Sequence, residues 1–136
     1  IAVVFNLGIN DMANISNYIS YMSDIASTLK SKNCKLFYMS VNPINSVMIT
    51  KAGKGARTEA QVREFNSKIR SGLSLNYKYI DTYSVLMKKG YGTNSSYSGT
   101  DAASDDGLHY TTKTFKRIYY YCITYLNTGS IDASIY

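Results

Sequence analysis

Apolar positions along the chain follow two different spacings, and the change from one to the other marks out the elements. Val3, Val4 and Phe5 form a short continuous apolar run suited to a strand buried on both faces, and it stops at Gly8, Asn10 and Asp11, residue types that favour a turn. Between residues 15 and 31, Ile15, Tyr18, Ile19, Met22, Ile25, Ala26 and Leu29 recur at intervals of three and four, which predicts one amphipathic helix. Lys35 to Val41 reads as a second strand, closed by Asn42 and Pro43 because proline cannot continue a central strand. A helix is predicted to start near Thr58, where Thr58 and Gln61 resemble a capping box and Val62, Phe65, Ile69 and Leu73 supply the inner face. The segment YKYIDTY predicts a third strand with Asp81 at its end, followed by a short helical piece near Ser84 to Lys89. The last helix is expected from about Thr112 to Asn127, with Phe115, Ile118, Tyr119, Cys122, Tyr125 and Leu126 on one side. Before it lies GYGTNSSYSGTDAASDDG, long for a connector and of the kind that borders sites.

Strands that alternate with helices predict a single α/β domain over residues 1–136, with parallel strands, right-handed crossovers and a short tail from residue 128. There is no internal repeat. Three strands are few for a parallel sheet covered on both faces, and the chain opens at Ile1 inside a β-type run. The expectation is therefore that further strands lie upstream of Ile1. That segment, or a neighbouring copy, would complete the sheet, since a bare strand edge tends to pair.

Composition narrows the function classes. The 136 residues are 45% hydrophobic, enough for a core, and no apolar stretch reaches the ~20 residues needed to span a bilayer. Nothing at the amino end has the layout of a signal peptide. The net charge of +6 comes from scattered residues such as Lys51, Lys54 and Arg57, which read mainly as a solvated face, with nucleic-acid binding as the third and weakest reading of the charge and aromatic content. Cys34 and Cys122 are expected to stay unpaired, with Cys122 acting as a small hydrophobe on the inner face of the last helix. One histidine in the whole chain gives poor support to a metal site, and no cofactor is expected.

Two stretches carry candidate chemistry. In open α/β sheets, ligands bind at the carboxyl ends of the strands, which is where Gly8, Asn10 and Asp11 fall. The second stretch is SDDGLHY, where the lone His109 lies three residues after Asp106, across a glycine that permits a tight turn. A carboxylate that reaches an imidazole fixes its tautomer and stabilises its charged form, as a general base in acyl transfer requires. An Asp so placed also serves as a plain hydrogen-bonded turn or a helix cap.

Taken in order, GIND at a strand end and DGLH before a carboxy-terminal helix resemble blocks of the SGNH (GDSL-type) hydrolases. Gly8, Asn10 and Asp11 match the family's Gly-x-Asn-Asp block, and Asp106 and His109 match its Asp-x-x-His block. The resemblance covers nearly the whole chain and implies a flavodoxin-like, three-layer α/β/α fold. It further implies that Asn10 donates to the oxyanion hole and that His109 is the general base, oriented by Asp106 with Asp105 as the rival. Gly8 and Asn42 are expected at the substrate, Gly8 by turning the backbone and Asn42 from the segment FYMSVNP, similar to a family strand before an active-site loop. Asp11 is read as a turn and cap residue.

The family's Gly-Asp-Ser nucleophile block is absent, as is a Gly-x-Ser-x-Gly elbow, and Ser40 and Ser104 lie in neither. The nucleophile is therefore expected upstream of Ile1, and the chain alone is expected to be inactive. The substrate implied is an ester, with a short acyl group on a carbohydrate favoured over lipid. The alternative is a non-catalytic carbohydrate-binding or interaction module that keeps the fold, drawing on the 14 tyrosines, among them Tyr91 and Tyr97 as exposed rings.

Overall fold

The computed structural model describes residues 1–92 and 106–134. The strand β1 (Ala2–Phe5) leads through a turn and a 3-10 turn (Met12–Asn14) into helix α1 (Ile15–Lys30). Strand β2 (Lys35–Met39) is followed by α2 (Ser46–Lys51) and α3 (Glu59–Gly72), and strand β3 (Lys78–Ile80) by α4 (Thr82–Lys88) and α5 (Thr112–Thr128). The sheet has the order β1-β2-β3, and both pairings are parallel, Val3 facing Leu36 and Tyr38 facing Tyr79.

Alternation along β2 divides the core in two. Leu36 and Tyr38 point to one face, where α1 contributes Met22 and Ala26 and α3 contributes Val62, Phe65 and Ile69. Phe37 and Met39 point to the other, against Leu86 of α4 and Ile118, Tyr121 and Cys122 of α5. The protein is thus an α/β domain with helices on both faces of a parallel sheet, and only the central strand is buried from Leu36 to Met39.

Local signals placed most boundaries. The capping box of α3 is complete, with the Gln61 N–H donating to the Thr58 hydroxyl at 3.2 Å and the Thr58 N–H to the Gln61 side chain at 2.9 Å. Asp81, expected at the end of β3, caps α4 by accepting the Ser84 N–H at 3.0 Å. β2 stops at Met39, two residues short of the expected Val41, because the buried Asn66 amide takes over the Val41 backbone. Asn66 Oδ1 accepts the Val41 N–H at 2.8 Å, and its Nδ2 donates to the Val41 carbonyl at 2.9 Å.

Other expectations need correction. Helix α2 was not legible as a helix; Asn45 caps it by accepting the Met48 N–H at 3.1 Å. The buried stripe of α5 runs through Thr114, Arg117, Ile118, Tyr121 and Cys122, whereas Phe115 and Tyr119 are 50% and 68% exposed. The helix is rotated because the hydroxyl of Tyr91 meets Thr114 Oγ1 at 3.1 Å and accepts from the Arg117 guanidinium, drawing that face inward. The same packing leaves Tyr91 only 4% exposed, so it is a core ring and not a surface platform. Asp11 makes no side-chain cap bond, and the turn there is held by backbone, with the Asp11 N–H donating to the Gly8 carbonyl at 2.9 Å. Cys34 and Cys122 are both free thiols, and Cys122 is buried. Among the described residues no helix is long and apolar enough to cross a membrane. Tyr97, Ser104 and Asp105 lie outside the described residues.

Candidate functional site

The turn that carries His109 is built by its own backbone. One oxygen of Asp106 accepts the N–H groups of Leu108 and His109, both at 2.9 Å, which folds residues 106–109 into a tight turn. The other oxygen lies 2.6 Å from His109 Nδ1. The single carboxylate therefore serves as both turn residue and imidazole partner. Burial disfavours the charged form of Asp106, but the His109 N–H, the His109 imidazole and the Leu108 N–H outweigh it and hold the carboxyl well below the usual carboxylate range. With Nδ1 committed to a carboxylate, the Nε2 lone pair of the neutral ring is left to accept a proton. The Asp106 side chain is 20% exposed and that of His109 74%, so the imidazole is open while its carboxylate partner is largely covered.

Gly107 docks this turn on α2. Its carbonyl accepts the Asn45 N–H at 3.0 Å, and a Cβ there would lie 2.5 Å from the Asn45 carbonyl oxygen, with φ at +75°. Gly8 makes a similar close approach on the other side, where a Cβ would meet the Phe65 ring at 2.5 Å. That contact, together with the Tyr38 hydroxyl donating to the Leu7 carbonyl at 2.8 Å, seats the turn after β1 on α3 and β2.

His109 opens onto a pocket of about 240 Å³ at the carboxyl ends of β1 and β2, where Asn6 and Asn42 supply polar groups and Leu7, Ile44 and Phe115 apolar walls. Asn42 is fixed on one side, its Oδ1 accepting from the Thr82 hydroxyl at 3.1 Å, which leaves Nδ2 as the donor toward the pocket side and Asn6. The Asn6 amide donates to the Ser40 carbonyl at 2.8 Å and so braces β1 against β2. Asn10 does not line this pocket. It lies in the adjoining hollow, on the far side of Ile9, and its Oδ1 accepts from the Arg57 guanidinium at 3.0 Å. That bond orients the amide, leaving Nδ2 as its unengaged donor. Ser40 is fully buried, its hydroxyl accepting the Tyr83 N–H at 2.7 Å, which makes it part of the scaffold.

The structure thus brings His109 and Asn42 to one pocket, with Asp106 behind His109, and puts Asn10 next door, with Gly8 packed against Phe65. Asn6, Ile44 and Phe115 were missed as lining residues, and so was Arg57 as the partner of Asn10. Only Asn6, directly after an apolar strand, carried a sequence signal. Among the described residues no group of three or more His, Cys, Asp or Glu side chains could hold a metal ion. No protein-family model matches the chain, and no curated protein matches it at a significant level.

Proposed function

We infer that this chain is the downstream part of a serine ester hydrolase, in which His109, held by Asp106, is the general base and Asn10 an oxyanion donor. The observation that carries this reading is the 2.6 Å contact between His109 Nδ1 and a buried-side carboxylate, next to a pocket at the strands' carboxyl ends. In the proposed reaction a serine hydroxyl contributed from upstream of Ile1 attacks the ester carbonyl while Nε2 of His109 takes its proton. For the negative oxygen of the tetrahedral intermediate to accept from Asn10 Nδ2, the carbonyl would have to sit beside Ile9, where the His109 pocket adjoins the hollow of Asn10. As the intermediate collapses, the C–O bond to the alcohol breaks and the imidazolium returns the proton to that alcohol. Water, deprotonated by the same nitrogen, then releases the acid and regenerates the serine. Asn42, whose Nδ2 faces Asn6 at 3.5 Å on the pocket side, would bind the substrate, and the apolar walls would receive a short acyl group, as on an acetylated carbohydrate. β1 has a strand on one side only in the described sheet, which is where the upstream part would add its own.

The test is hydrolysis of p-nitrophenyl acetate by the longer polypeptide that includes residues upstream of Ile1. His109→Ala is expected to remove most activity, and Asn10→Ala to lower kcat roughly 100-fold or more with a smaller effect on KM. Undiminished activity in the double variant would overturn the assignment. Absence of activity in the unmodified polypeptide, with retained binding of a neutral oligosaccharide, would favour the carbohydrate-binding alternative.

A further inference from the structure

The hollow beyond Ile9 has a chemistry of its own. Lys54 and Arg57 are the charged residues that line it, and no carboxylate does. Arg57 is held in place by two neutral acceptors, the Lys54 carbonyl at 2.9 Å and Asn10 Oδ1 at 3.0 Å. Its charge is therefore positioned but not neutralised by either contact. The ion pairs among the described residues join Lys68 to Glu64, Arg70 to Asp81 and His109 to Asp106, and include neither Lys54 nor Arg57. Gln61 adds a neutral donor, since its side-chain oxygen is taken up by Thr58 and its amide nitrogen is not. The carboxylates nearest in sequence, Asp11 and Glu59, do not line the hollow; Asp11 acts electrostatically on Tyr18 and Tyr38, and Glu59 on Tyr83 and Tyr110. One held guanidinium and one exposed ammonium, with an amide donor, in a concave, partly apolar site suit a compact anion.

Ile9 lines both this hollow and the His109 pocket, so the two adjoin. We propose that the Lys54–Arg57 hollow binds an anionic group, a carboxylate or a phosphate, and that the ester acted on at His109 is carried on an anionic molecule. The second half rests on the hydrolase reading above, whereas anion binding itself does not. Arg57 then has two tasks, because the guanidinium that meets the anion also orients the Asn10 amide. Lys54 has only the first, which makes it the residue to change.

The binding test uses the ¹⁵N-labelled chain titrated with trigalacturonate, glucose 6-phosphate and inorganic phosphate, with neutral maltotriose as control. The expected result is a set of amide shifts confined to Asn10, Gly55, Arg57, Gln61 and their neighbours, produced by the anions and not by maltotriose. Lys54→Glu is expected to weaken binding roughly five- to tenfold at low salt, and less at 0.15 M, where screening reaches within ~8 Å. Lys54 sits on an exposed loop, so the variant is expected to fold, and an unchanged circular dichroism spectrum checks it. Response to trigalacturonate alone identifies a uronic carrier, and response to the two phosphates alone a phosphorylated one. Equal shifts with maltotriose, shifts located elsewhere, or binding insensitive to Lys54→Glu would overturn the proposal. In the longer polypeptide, Lys54→Glu is expected to raise KM several-fold for an acetylated trigalacturonate and leave p-nitrophenyl acetate hydrolysis unchanged. Anion binding without any ester hydrolysis would keep the site and discard the hydrolase reading, while hydrolysis of acetylated trigalacturonate unaffected by Lys54→Glu would discard the site's role in substrate choice.

Discussion

Replacing Gly107 by alanine tests whether the Asp106–His109 turn is held in place by α2. The new methyl would lie 2.5 Å from the Asn45 carbonyl oxygen, 2.8 Å from the Ile49 nitrogen and 2.9 Å from Met48 Cβ. Two of these neighbours are backbone atoms at the start of a helix, so they cannot swing aside as the end of a flexible side chain would. A left-handed backbone costs an L-residue about 1 to 2 kcal/mol, and forcing a methyl into a packed contact adds about 1 to 3 kcal/mol. If the turn stays docked, the loss is about 2 to 5 kcal/mol, or a fall in Tm of roughly 6 to 15 °C for a domain of this size. If the turn lifts off instead, the Tm falls less, but the Asn45 N–H loses its Gly107 acceptor and His109 leaves the pocket. Gly53→Ala is the control, because Gly53 has a similar φ of +66° with nothing within 4 Å of the added Cβ. It isolates the backbone cost. Thermal unfolding followed by circular dichroism, with the amide signals of Asn45, Leu108 and His109, separates the outcomes. A Gly107→Ala variant with Tm within about 1 °C of the parent and with those amides unmoved would refute the docking argument.

Two further outcomes follow from single side chains. The Asp106 carboxyl titrates lower in the folded protein than in the unfolded chain, so its contribution to stability is complete above about pH 4 and fades as the pH falls through the lower folded value. Asp106→Asn is expected to lose that part of the acid limb in a stability-versus-pH series, and an unchanged limb would contradict it. Asn66→Ala is expected to cost about 2 to 4 kcal/mol in urea denaturation at an unchanged m-value, because it leaves the buried Val41 N–H and carbonyl without the partners they have at 2.8 and 2.9 Å. A midpoint equal to the parent's would mean that water replaces the amide.

What the amino-acid sequence determined by itself is whatever depends on neighbours three or four residues apart. The capping box at Thr58 and Gln61, the apolar stripe of α1, the alternation of strands with helices and the turn joining Asp106 to His109 are all of this kind. Their hydrogen bonds and side-chain contacts close within one or two turns of chain. Tertiary structure decided what depends on partners far along the chain. Asn10 faces a guanidinium 47 residues away, and that contact places its amide in a hollow next to the pocket of His109. Tyr91, beside glycines that suggested a surface ring, is drawn into the core by Thr114 and Arg117 on a helix that begins 21 residues later. β2 ends early because an amide from α3 captures Val41, and the His109 turn is seated where it is because α2, a helix with few local signals, lies under Gly107. Apolar periodicity measures how often a side chain faces inward along one element. It carries no information on which other element lies opposite, and the rotation of α5 and the separation of Asn10 from His109 are set by that missing quantity.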